Sequence, residues 1–262
     1  MLKAKKYHWH TLSSEKVAEI LKTDPKKGLS EKEVEVRQKK FGLNKLPEEK
    51  PLPKVKIFLS QFQSPLIYIL VIAGMVTLIL GEWTDTIVIF TAVFLNTVVG
   101  YFQENKASNA LRELKKVLKV KATCLREGER KEIFQENLVL GDMVILKAGD
   151  KVPSDGRIIE SSNLKINEAS LTGEWLAADK KVETLSKNTP LADRDNMIYM
   201  GTTVEDGEGK AIITEIGAQT EIGKVAILIK ETKEEKTPYQ KKLAHFSKIV
   251  AWLVGFASLF IF

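Results

Sequence analysis

The sequence predicts an α+β membrane protein: a transmembrane helical hairpin, a cytosolic β-rich domain, and the start of a third transmembrane helix. Three observations predict it. Residues 65–80 and 87–102 are two nearly unbroken apolar runs joined by a short link. Residues 120–216 break into short apolar-polar stretches separated by glycine turns. A further apolar run opens at residue 249 and continues to Phe262. Long uncharged runs suit hydrocarbon, whereas short alternating stretches with turn residues suit strands.

The run 65–80 has Thr77 as its only clearly polar member. At about 1.5 Å per residue it covers roughly 24 Å, and turns drawn from Phe58, Leu59 and Phe62 extend it toward a ~30 Å hydrocarbon core. The link Gly81-Glu82-Trp83-Thr84-Asp85 has room only for a tight connection. Lys54 and Lys56 precede the first run, while Lys106, Arg112, Lys115 and Lys116 follow the second. Because the link carries only acids, the positive-inside rule places both flanks in the cytoplasm. Lys241, Lys242 and Lys248 keep the segment before the third run on the same side. A chain seldom stops inside a bilayer, so the C-terminus is expected to be a truncation.

Before the first run, residues 1–64 form a cytosolic helical arm. Ser13 precedes a helix carrying Val17, Ile20 and Leu21 on one face, and Pro25 closes it. Ser30 and Glu33 make a capping box for a second helix, which stops at Gly42. Lys50-Pro51-Leu52-Pro53 reads as an extended linker. After the hairpin (65–102), residues 103–119 continue as a stalk helix. The β domain follows at 120–232, with strands expected at 121–126, 131–134, 143–147, 157–160, 164–167, 198–204 and 210–216 in a sandwich or jelly-roll arrangement. A helix capped by Thr220 runs to about residue 233. A linker (233–248) then leads to the third run (249–262).

Composition narrows the function classes. The net charge is +6 with a pI near 9.1, but lysines alternate with acids and form no basic stripe, which argues against nucleic acid. Instead the charge fits a membrane-proximal face. The single Cys124 cannot form an intramolecular disulfide and suits a small strand position. No apolar run opens the chain as a secretory signal would. His8-Trp9-His10 offers two imidazoles without a third ligand, too few for a metal site.

Several motifs occur in a telling order. They are Gly81-Glu82-Trp83, Asn96-Thr97-Val98-Val99-Gly100-Tyr101-Phe102-Gln103-Glu104, Leu140-Gly141-Asp142-Met143-Val144 and Gly149-Asp150-Lys151-Val152-Pro153-Ser154-Asp155-Gly156. After them come Ile166-Asn167-Glu168-Ala169-Ser170-Leu171-Thr172-Gly173-Glu174, Met200-Gly201-Thr202-Thr203, Thr220-Glu221-Ile222-Gly223-Lys224 and Lys236-Thr237-Pro238-Tyr239. Over essentially its whole length the chain resembles the N-terminal third of P-type cation-transporting ATPases, most closely the calcium-pump-like branch. The resemblance implies that 120–232 is a distorted jelly-roll actuator domain, that the chain is integral to a membrane (the plasma membrane in a prokaryote), and that arm and actuator face the cytosol. It implies an actuator that rotates as ions bind and phosphate transfers, pulling on the spans through the stalk and the linkers at 54–64 and 233–248.

The family's Thr-Gly-Glu-Ser loop supplies a glutamate that activates the water hydrolysing an aspartyl-phosphate. The resemblance assigns those positions to Thr172, Gly173 and Glu174. A glycine lets backbone approach a phosphoryl group, and a carboxylate within reach of water acts as base. Trp175 stands where the motif has serine, and Ala177 where a proline follows. Either Trp175 crowds the phosphorylation site and slows dephosphorylation, or it is tolerated at a tip that still presents Glu174. No Asp-Lys-Thr-Gly-Thr phosphorylation motif occurs in the sequence, nor does a nucleotide-binding domain. Gly217–Lys224 has the wrong spacing for a phosphate-binding loop, and Val225 replaces its magnesium-holding hydroxyl.

ATP and Mg2+ are therefore implied for a full-length pump and no cofactor for this stretch. The implied partners are the lipid bilayer, the missing phosphorylation and nucleotide-binding domains, and a transported cation, which the branch points to as Ca2+. Asn96, Thr91 and Thr97 are expected to bridge helices, since the family's main ion ligands sit in later spans. The alternative is a non-catalytic stand-alone membrane protein that regulates or pairs with a full-length pump.

Overall fold

The computed structural model describes residues 7–47, 53–62, 65–117 and 120–231, with isolated positions between 238 and 256. The chain divides into two compact units, residues 1–48 with 119–232 and residues 49–118 with 233–262.

In the first unit, Ser13 Oγ accepts the Lys16 amide at 3.3 Å and opens α1 (Ser14–Leu21). Ser30 Oγ does the same for Glu33 at the start of α2 (Glu31–Phe41), which stops at Gly42. Only half of the expected capping box forms. The Glu33 carboxylate takes Arg37 Nε at 2.8 Å instead of the Ser30 amide, because the buried Arg37 guanidinium needs a counter-charge while its Nη1 donates to Leu140 O.

Seven strands among the described residues form one antiparallel sheet in the order β2-β1-β3-β7-β4-β5, with β6 also on β4. Two of them, β1 (Lys121–Arg126) and β3 (Met143–Lys147), match expectation. With them are β2 (Glu129–Phe134), β4 (Asp155–Asn167), β5 (Ala178–Asp179), β6 (Met197–Ile198) and β7 (Thr203–Glu215). Three expectations are corrected here. Segments 157–160 and 164–167 are one strand, because irregularities between Ser162 and Lys165 absorb the polar interruption without breaking the ladder. No turn divides the expected strands 198–204 and 210–216, because Asp206-Gly207 lies within β7. Gly207 has φ +74°, and a Cβ there would collide with the Asn163 carbonyl, so the strands close at this bulge only with glycine. Of 198–204, only Met197–Ile198 and the start of β7 are strand, because the chain bends at Gly201.

Alternation along β7 separates two apolar clusters. Ala211 and Ile213 pack with Cys124, Val144, Leu146, Ile158 and Ile166. Ile212, pointing to the opposite face, packs with Trp9, Val17, Leu21 and Tyr199. The arm thus covers the face that would otherwise meet water, each buried aliphatic contributing about 1.5–3 kcal/mol. Cys124 is fully buried, and burial pushes its thiol up to about 11, as a packing residue should show.

Buried polar groups tie the arm down. Asn44 Nδ2 donates to Gln135 O and Pro153 O, and its Oδ1 accepts Ser154 Oγ and the Gly217 amide. The wholly buried Arg157 donates to the carbonyls of Leu12, Ile158 and Val182 at 2.6–3.2 Å. Arg126 grips Asp142 through two of its nitrogens, Nε to Oδ1 at 3.0 Å and Nη2 to Oδ2 at 2.6 Å. Asp155 accepts the Met200 amide and the Glu221 amide at the head of α7 (Glu221–Glu231), whose N-cap is Thr220. The expected last residues of that helix lie outside the described residues.

In the second unit, α3 (Lys54–Gln61) begins after Pro53 and is separate from α4 (Pro65–Ile79). The turns expected to lengthen the first apolar run thus belong to another helix. The expected linker residues 50–52 lie outside the described residues. One unbroken helix, α5 (Trp83–Val117), contains the second run and the expected stalk as far as Val117, residues 118–119 lying outside the described residues. The stretch Trp83–Ala110 is long and apolar enough to cross a membrane, while α4 supplies the shorter apolar stretch Ile67–Ile79.

Thr77 and Thr86 hydroxyls meet at 3.0 Å between α4 and α5, and Gln61 Nε2 donates to Glu104 at 2.7 Å between α3 and α5. Among the described residues these side chains, and not Asn96, Thr91 or Thr97, make the polar contacts between the helices. Asn96 and Thr91 are exposed, and the Thr97 hydroxyl bonds Val93 O one turn back. Ile249, Trp252, Leu253 and Phe256 are helical; the remainder of the expected third span, and residues 232–237, lie outside the described residues.

Two measurements follow. Asn44→Ala removes four hydrogen bonds and is expected to destabilise the fold by about 2–4 kcal/mol, read as a lowered denaturation midpoint of the detergent-solubilised chain. Burial pushes Asp155 up to about 7 despite its two amide donors. Unfolded aspartate titrates near 3.9. Between these values the folded state holds the extra proton, so the contribution of Asp155 is full at low pH and is lost as pH rises through about 7. Asp155→Asn should flatten the fall in thermal midpoint between pH 5 and pH 8.

Candidate functional site

The residues singled out by sequence lie on the turn leaving the long strand β4. At its end, Asn167 Oδ1 accepts the Ala169 amide at 3.0 Å, and its Nδ2 donates to Glu205 at 2.7 Å. This local side-chain bond reverses the strand into one helical turn, α6 (Ala169–Thr172). The Glu168 carbonyl accepts the amides of Leu171 and Thr172, both at 2.9 Å, and the Thr172 hydroxyl at 3.1 Å.

Gly173 ends the turn with φ 80° and ψ −3°, a left-handed stop, and its amide returns to Ala169 O at 3.0 Å. The Glu174 amide donates to Thr172 Oγ1 at 3.2 Å. Thr172 and Gly173 therefore shape the turn, while the exposed Glu174 is carried at its tip. Trp175 and Leu176 beside it are 80% and 67% exposed. The chain returns through β5, whose Ala178 pairs with Ile166 and Asp179 with Lys165.

Two residues that sequence reasoning missed close the base of this turn. Lys180 Nζ lies 2.7 Å from Glu168 Oε1, and both side chains are shielded from solvent. Burial pushes the Glu168 carboxyl up, and the Lys180 ammonium draws it back down. The available signal was two charged residues flanking a short excursion from an otherwise alternating strand.

The remaining candidates are structural. His10 is buried with Nε2 3.4 Å from the Lys187 carbonyl, and burial lowers its affinity for a proton. Among the described residues, no group of three or more His, Cys, Asp or Glu side chains is placed to hold a metal. In the Gly217–Lys224 segment, the Thr220 hydroxyl donates to Gly217 O and accepts the Gly223 amide, so it caps a helix.

The motif order now has a structural basis. Gly149–Gly156 and Met200–Thr203 lie against each other through Val152 N to Thr202 O, Gly201 N to Val152 O and Asp155 to Met200 N. Residues 116–230 match the P-type ATPase actuator domain, and residues 9–77 match the cation transporter/ATPase N-terminus. The chain belongs to the P-type ATPases.

Within that family it is 41% identical to a calcium-transporting ATPase of Listeria monocytogenes over 222 residues, which is 85% of this chain and 25% of the relative. It is 38% identical to a cation-transporting ATPase of Synechocystis over 98% of this chain and 28% of the relative. A calcium-transporting ATPase of Bacillus subtilis is 35% identical over 92% of this chain and 27% of its own length. This P-type ATPase chain therefore spans about a quarter of the length of the curated relatives it matches.

No atom lies within 4 Å of a Cβ built on Gly173, so only its backbone angle resists substitution. Gly173→Ala is expected to cost about 1 kcal/mol. The lost protection should be confined to amides 172–174 in hydrogen exchange, with the sheet unaffected.

Proposed function

We propose that this chain is the N-terminal portion of an ATP-driven P-type cation pump, with Ca2+ as the transported ion. Its Thr172-Gly173-Glu174 turn promotes hydrolysis of an aspartyl-phosphate carried elsewhere in the pump. The observation that carries this reading is the placement of Glu174: an exposed carboxylate on a left-handed glycine stop, at the tip of a turn whose Thr172 hydroxyl is used internally. A carboxylate so placed can enter a partner domain, orient a water and accept its proton as the water attacks phosphorus. Gly173 leaves room for the phosphoryl group beside the backbone.

In this reading the sheet is the distorted jelly roll of the actuator, and α4 and α5 form a membrane-crossing hairpin that tethers it on the cytosolic side. The lipid bilayer surrounds the apolar faces of those helices, and Ile72, Ile79, Ile87 and Phe94 are among the exposed side chains that suit it. The phosphorylation and nucleotide-binding domains of the full pump supply the aspartate and hold ATP and Mg2+. The names of the Listeria and Bacillus relatives support Ca2+, while the Synechocystis name supports a cation without specifying it.

The test uses a full-length pump carrying this chain. Glu174→Gln keeps the shape of the turn and removes the base. Phosphoenzyme formed from ATP should then decay on the order of a hundredfold more slowly. Normal decay would refute the assigned chemistry. Trp175→Ser removes a bulky indole next to Glu174 and is expected to speed phosphoenzyme decay; an unchanged rate would show that the tip tolerates tryptophan.

A further inference from the structure

Residues 173–176 are exposed, so the direction of Glu174 is set by the base of the turn. That base is closed by the pairing of Ile166 with Ala178 and by the Glu168–Lys180 ion pair at 2.7 Å, whose side chains are 4% and 0% exposed. Lys180 Nζ also lies 5.9 Å from the centroid of the Tyr199 ring, so the ammonium has an anionic group and an aromatic face as neighbours.

A buried ion pair is a poor source of stability, since the desolvation of two charges offsets their attraction and apolar side chains of similar volume serve as well. What it adds is a fixed partner in a fixed direction. Here the direction is transmitted onward. The carbonyl of Glu168 receives the Thr172 amide and hydroxyl, and Thr172 Oγ1 receives the Glu174 amide. The chain of contacts from Lys180 through Glu168 and Thr172 to Glu174 is unbroken.

We propose that Lys180 and Glu168 are positioning residues for Glu174, their buried ion pair setting how the turn presents that carboxylate to a phosphorylated partner. The proposal rests on the reading of Glu174 given above.

In a full-length pump carrying this chain, the double variant Glu168→Leu with Lys180→Met replaces the pair by apolar groups. Its thermal midpoint and its rate of phosphoenzyme formation should stay near wild type, while phosphoenzyme decay slows roughly tenfold or more. The Glu174 amide should also lose protection in hydrogen exchange. A second variant, Glu168→Gln with Lys180→Gln, removes both charges while staying polar and gives the same readout should the apolar pair fail to fold. Wild-type decay in a folded variant, with decay arrested in Glu174→Gln, overturns the positioning role and leaves Glu174 its own. Wild-type decay in Glu174→Gln overturns both.

Discussion

The long antiparallel ladder between β4 and β7 is the constraint on which the rest of the first unit depends. It pairs Asp155 with Glu215 at one end and Asn167 with Thr203 at the other. One end fixes the start of α7, through Asp155 and the Glu221 amide. The other end launches the turn that carries Glu174. Irregularities along this ladder bend it and sharpen its local twist, and at Gly207 the Asn163 carbonyl opposite leaves no room for a Cβ. The two faces of β7 then recruit different cores, one made from neighbouring strands and one completed by the arm.

Polar burial in this unit follows one pattern. Asn44, Arg157 and Asp142 are buried, and their hydrogen bonds go to backbone groups, to the Ser154 hydroxyl or to a single charged partner. Such groups lose hydration on folding and recover it only when every partner is in place, so they select one arrangement of arm and sheet over others of similar apolar burial. The Glu168–Lys180 pair belongs to the same class. It lies beneath the turn whose outer residues have no packing to hold them.

The contrast between the closed base and the exposed tip suits the role proposed for Glu174. A side chain that must enter another domain cannot be packed at home, yet it must arrive in a defined direction. Glu174, Trp175 and Leu176 meet the first condition by exposure. Internal hydrogen bonds of Thr172 and the left-handed Gly173 meet the second.

The sequence by itself determined whatever depends on near neighbours. Ser13 and Ser30 capping their helices, β1 and β3 at their expected bounds, and the run of α5 out of its apolar half are all local outcomes of hydrogen-bonding groups and periodicity. The Thr172-Gly173-Glu174 turn was singled out by the resemblance to the family's Thr-Gly-Glu-Ser loop, and its shape rests on the glycine and on a hydroxyl that acts within four residues. Tertiary structure decided what depends on partners distant in the chain. Asp206-Gly207 became part of a strand because Asn163 lay opposite, and Glu33 left its cap because a buried Arg37 needed it. Lys180 became an internal cation because strand pairing carried it beneath Glu168. Spacing along a chain does not encode which charge will be buried, because burial is a property of the assembled core.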